Sequence, residues 1–140
     1  MNSVILRTGA AFLLPLLVVV SLVILLRGHN EPGGGFVGGL TSAAGFLLYM
    51  LAFGVPAARS MLRVSPLSIL TFGLAVTLGS GLVSTLGSDP LFAARWTDLE
   101  PIEGVKVGTP LLFDIGVYLV VTGSVLLMLF TIAEREAVGP

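Results

Sequence analysis

Residues Gly9 to Leu26 read GAAFLLPLLVVVSLVILL, a run without a charged side chain, preceded by Arg7 and followed by Arg27. A helix needs about 20 apolar residues, at about 1.5 Å of rise each, to cross the hydrocarbon core of a bilayer. The run is therefore expected to be a transmembrane helix over about residues 9–27. A membrane strand would be shorter, about ten residues, and would alternate apolar with polar positions. This run is apolar on every side. A secretory signal shares the basic start and apolar middle, but Leu25-Leu26-Arg27-Gly28 lacks the small-x-small pattern of a cleavage site.

Working outward, three more apolar runs are long enough to span, at about 36–55, 67–87 and 110–133. Pro32 with its neighbouring glycines separates the first two, Pro56 is expected to end the second, and Ser65-Pro66 and Thr109-Pro110 open the third and fourth. The expected fold is an all-α integral membrane protein, one membrane domain over 1–140 with four transmembrane helices in a small bundle. Composition agrees: of 140 residues 55% are hydrophobic and 11% charged, with a mean hydropathy of +1.04, where soluble domains carry about 25% charged residues. The absence of cysteine excludes disulfides, thiolate metal sites and cysteine nucleophiles. A formal net charge of -1 gives no field for nucleic acid.

The connection at about 88–108 carries Asp89, Asp98, Glu100, Glu103 and Trp96. Tryptophan settles at the headgroup level, so this loop is expected along the membrane surface. Arg7, Arg59, Arg63 and Arg135 fall on one side of a four-span chain, and Arg27, Arg95 and Lys106 on the other with most of the acids. The compact Arg59/Arg63 loop lacks acids, which favours both termini in the cytoplasm.

Between the first two helices lies HNEPGGGFVGG, His29 to Gly39, in which Gly33, Gly35 and Gly38 match the G-x-G-x-x-G spacing of dinucleotide sites. That motif works only after a strand, and it needs an acidic residue about twenty positions on to hold a ribose. Neither is present. The Gly-Lys-Ser/Thr ending of a phosphate loop is also missing. His29 and Glu31 fall short of the three or four ligands usual for zinc, so neither metal nor cofactor is expected. Pro32, Gly33, Gly34, Gly35, Phe36, Gly38 and Gly39 instead read as a tight turn pressed on a neighbour, with the Phe36 ring filling a glycine-lined gap.

The run GHNEPGGGFVGGL, a basic loop, a glycine-rich third helix and GTPLLFDIGVYLVVTG in the fourth together resemble the B subunit of Mrp-type multisubunit Na⁺/H⁺ antiporters. The resemblance covers nearly the whole chain. It implies a multi-pass component of a bacterial or archaeal plasma membrane, assembled with A, C, D and smaller subunits in an exchanger of Na⁺ for H⁺. Related domains occur in complex I-like and membrane-bound hydrogenase-type complexes, so a structural adaptor is the alternative.

Asp114 is the ionisable residue placed to lie inside a span, and intramembrane carboxylates ordinarily face a bundle interior or a water path. It could instead orient the start of the fourth helix. Glu31 and His29, at the mouth of the second helix, could line an ion entrance or a solvated turn. Gly73, Thr77 and Gly81 recur at i+4 in the third span, as close helix packing requires, with Ser80 and Ser84 beside them. An ion path along those hydroxyls is the weaker reading, because such groups commonly bond to carbonyls of their own helix. No nucleophile, base or metal constellation suggests an enzyme.

Overall fold

The computed structural model describes residues 3–28, 34–86 and 108–139. Among these described residues five helices follow in chain order: α1 (Val4–Arg27), α2 (Gly34–Phe53), α3 (Val55–Leu62), α4 (Pro66–Thr85) and α5 (Thr109–Val138). Helices α1, α2 and α5, and the stretch Val55–Val83 that joins α3 to α4, are long and apolar enough to cross a membrane. His29, Glu31, Pro32 and Gly33, and the expected surface loop up to residue 107, lie outside the described residues.

Local chemistry sets the helix ends. Ser3 caps α1, its hydroxyl accepting from the Leu6 N–H at 3.2 Å, and Ser65 caps α4 by accepting from the Ser68 N–H at 3.1 Å. Pro66 and Pro110 sit in the first turns of α4 and α5, where no intrahelical donor is lost. Pro15 lies inside α1 and the helix continues through it.

Two expectations are corrected here. Gly34, Gly35, Gly38 and Gly39 are not turn residues but the first turns of α2, and all four are buried. Glycine is about 1 kcal/mol worse than alanine inside a helix, but close packing on neighbouring helices overrides that preference. Nor does Pro56 end the second helix. Gly54, at φ 93°, breaks it after Phe53, and the supposed basic loop is the short helix α3 with Pro56 in its first turn. Only glycine adopts that backbone without strain.

The helices stand in the order α1, α2, α5, α4, each packed on the next, and α3 folds against the ends of α2 and α5. Among the described residues α4 touches α5 and no other long helix, so the bundle is an open row with α5 and α2 at its centre. A core of Ala43, Met50, Ala58, Leu126 and Phe130 joins α2, α3 and α5. Large side chains on the outer faces, such as Phe12 at 75% and Phe72 at 64% exposure, suit a lipid or protein surround rather than water.

Candidate functional site

The glycines of α2 let three helices approach at backbone distance. A Cβ added at Gly35 would lie 2.5 Å from the carbonyl oxygen of Asp114, and one at Gly39 2.9 Å from that of Tyr118. Real Cβ atoms do not sit so close, so only glycine permits this contact of α2 with α5. At Gly38 the same test meets the Ser21 carbonyl at 2.8 Å and the Tyr118 ring at 3.1 Å. The Tyr118 ring thus crosses α2 over a position without a side chain and reaches α1.

There it closes a buried polar link. Ser21 Oγ donates to the Val18 carbonyl at 2.6 Å and has one hydroxyl hydrogen. In its 2.7 Å bond with Tyr118, Ser21 therefore accepts and the phenol donates. One turn on, Thr122 Oγ1 donates to the Gly39 carbonyl at 3.3 Å, also buried. Sequence reasoning does not single out Ser21, Tyr118 or Thr122. Their signal is faint: polar side chains in apolar helices, with Tyr118 four residues beyond Asp114.

Asp114 is half-buried on the second turn of α5, its backbone against Gly35. Twenty residues separate it from Glu134, about 30 Å along a helix, which is the thickness of a bilayer's hydrocarbon core. Glu134 pairs with Arg59, Nε to Oε1 at 2.6 Å, at the opposite end of the molecule. Asp114 therefore stands near one edge of the apolar layer and not at its middle. Gly28 and Gly34, which flank the segment holding His29 and Glu31, touch one another, and Gly35 next in sequence adjoins Asp114.

Phe36 is 53% exposed, directed away from the buried glycines that precede and follow it. Among the described residues no glycine-lined gap takes up its ring, which leaves it open to a neighbour. Gly73 and Thr77 pack on Gly116 of α5, and a Cβ at Gly73 would lie 2.7 Å from the Val120 nitrogen. Gly81 is buried on the same helix. Thr77 Oγ1 donates to the Gly73 carbonyl at 2.8 Å and Ser80 Oγ to that of Thr77 at 2.7 Å, the within-helix bonding expected of such hydroxyls. Among the described residues no three His, Cys, Asp or Glu side chains come together as a metal site would require.

The other membrane end is basic. Arg59 lies over the Phe130 ring at 4.9 Å and Arg7 over the Phe53 ring at 4.8 Å. These contacts bring the start of α1, the end of α2, α3 and the end of α5 to one face.

A family model described as a domain related to the MnhB subunit of Na⁺/H⁺ antiporter matches residues 5–127. The B subunit of the Na⁺/H⁺ antiporter of Bacillus subtilis is 34% identical over 137 residues, covering 96% of both chains. A probable K⁺/H⁺ antiporter A/B subunit of Rhizobium meliloti is 29% identical over 92% of this chain and 13% of its own length. A chain in the solved Mrp complex from Dietzia sp. DQ12-45-1b superposes on 93% of this chain with a TM-score of 0.79 at 36% identity, and the present chain spans 14% of that chain's length.

Proposed function

The chain belongs to the family of domains related to the MnhB subunit of Na⁺/H⁺ antiporters, and from that premise we propose that it works as a membrane subunit of a multisubunit exchanger of Na⁺ for H⁺. The observation that carries this reading is end-to-end similarity to an antiporter B subunit of the same length. It is a transporter component, not an enzyme, and its partners are the A, C, D and smaller subunits.

Its role in the complex is auxiliary. In the described helices the charged residues gather at the ends, Asp114 among them near one edge of the apolar layer. A single carboxylate cannot relay protons across about 30 Å of hydrocarbon, so the continuous path belongs to the assembly. Asp114 serves at the mouth of that path, with His29 and Glu31 as further candidates, while Pro32 and the outward Phe36 meet a neighbouring subunit. The four-span chain with Arg7, Arg59, Arg63 and Arg135 on one face has both termini in the cytoplasm.

The test is Asp114→Asn, which keeps shape and hydrogen-bonding capacity and removes the titrating group. Na⁺-dependent dissipation of a pH gradient in everted vesicles, normalised to assembled complex, is expected to slow by about tenfold or more, equivalent to about 1.4 kcal/mol on the barrier. Wild-type rates and an unchanged pH profile would leave Asp114 a helix-orienting residue only.

A further inference from the structure

At the basic end an open groove of about 490 Å³ lies between α1 and the α2–α3 junction, lined by Arg7, Met50, Phe53, Gly54 and Val55. A second, of about 410 Å³, shares Arg7 and Phe53 and continues one turn along α1 to Ala11 and Phe12. We propose that these adjoining grooves hold one anionic phospholipid, its phosphate on the Arg7 guanidinium and an acyl chain along Ala11 and Phe12.

Three observations converge on that occupant. The first is depth: Arg7 and Arg27 are twenty residues apart on α1, about 30 Å, so the two guanidinium groups bracket a hydrocarbon layer of that thickness. Arg7 therefore stands at the level of lipid phosphates. The second is charge. Arg7, Arg59, Arg63 and Arg135 share this end with Glu134 and Glu136, and Glu134 is engaged by Arg59. Among the described residues no carboxylate lies within 4.0 Å of Arg7, whose guanidinium instead rests on the Phe53 ring. Basic side chains beside a membrane surface attract anionic headgroups, and a planar guanidinium fits phosphate oxygens in pairs. The third is continuity of polar with apolar lining: the groove begins at Arg7 and Gly54 and passes to Phe12, which is 75% exposed. A free anion would have no use for the apolar half.

The experiment uses the tagged chain with its copurifying subunits, delipidated in mild detergent and titrated with phosphatidylglycerol or phosphatidylcholine under native mass spectrometry. Wild-type protein is expected to bind one more phosphatidylglycerol than Arg7→Gln, or to half-saturate at about tenfold lower lipid, the worth of one charge-assisted pair. Arg7→Lys should retain most of the binding, and millimolar inorganic phosphate should not displace the lipid. Should Arg7→Gln fail to assemble, Phe53→Leu, which keeps the charge and removes the ring wall, carries the same comparison. Equal phosphatidylglycerol binding by variant and wild type, or equal affinity for phosphatidylcholine, overturns the proposal. So does a photo-crosslinker at Phe12 that captures another protein chain in place of lipid.

Discussion

At Gly38 one missing methyl group decides whether α1 and α5 can meet across α2. A Cβ there would stand 2.8 Å from the Ser21 carbonyl and 3.1 Å from the Tyr118 ring, and the carbonyl cannot move without moving α1. Gly38→Ala is therefore expected to destabilise the protein by about 1–3 kcal/mol, as overpacking does, although alanine is the better helix former. Tyr118→Phe should be milder, about 0.6 kcal/mol, the average worth of a hydroxyl bond between membrane helices, because Ser21 keeps its bond to Val18. Thermal midpoints of the purified assembly measure both, and a Tyr118→Phe midpoint below that of Gly38→Ala would reverse the assignment. Asp114 is legible in the sequence because one carboxylate in an apolar run stands out. The Ser21–Tyr118 bond is not, since it joins residues 97 positions apart and depends on a gap that only packing reveals.

Among the elements, α5 is the shared wall, and glycines on two of its sides set how near its neighbours come. Gly123 faces α4 so closely that a Cβ would lie 2.6 Å from the Leu70 nitrogen and 2.9 Å from the Pro66 carbonyl oxygen. Both are backbone atoms, so Gly123→Ala must push α4 away, and the expected result is loss of assembled complex on native gels. Gly79, on α4 itself, has nothing within 4 Å of its Cβ position. Gly79→Ala should leave the gel unchanged and raise the thermal midpoint, by up to about 1 kcal/mol of helix propensity; equal losses from both variants would mean that glycine flexibility, not contact, matters. The spans themselves are readable from apolar length. The glycines of α2 read as a turn because local preference points that way, and α3 escapes notice because eight residues opening on Val55-Pro56 resemble a loop. The order α1, α2, α5, α4 is equally hidden, since helices apolar all round do not disclose which face meets which neighbour.

For the whole molecule, an open row of helices with a basic end fixes which segments share a membrane face, while the sign of that face is a matter of topology. Arg7 on Phe53 and Arg59 with Glu134 tie the start of α1, the α2–α3 junction and the end of α5 together. The positive-inside rule assigns that face to the cytoplasm, since short loops near the span ends carry the signal. The absence of native cysteine makes the assignment directly measurable. Met61 on α3 and Val138 at the end of α5 are exposed, at 48% and 87%, and each can be replaced by cysteine without touching the core. A membrane-impermeant maleimide is expected to label Met61→Cys and Val138→Cys in everted vesicles and to spare both in right-side-out cells. Arg27→Cys, at the opposite end of α1, should show the reverse pattern. Labelling of Met61→Cys and Val138→Cys from outside would invert the molecule, and would put Asp114 at the cytoplasmic edge of the apolar layer instead of the outer one. Labelling of those two from opposite sides would break the four-span arrangement itself, because α3 and the end of α5 share one face.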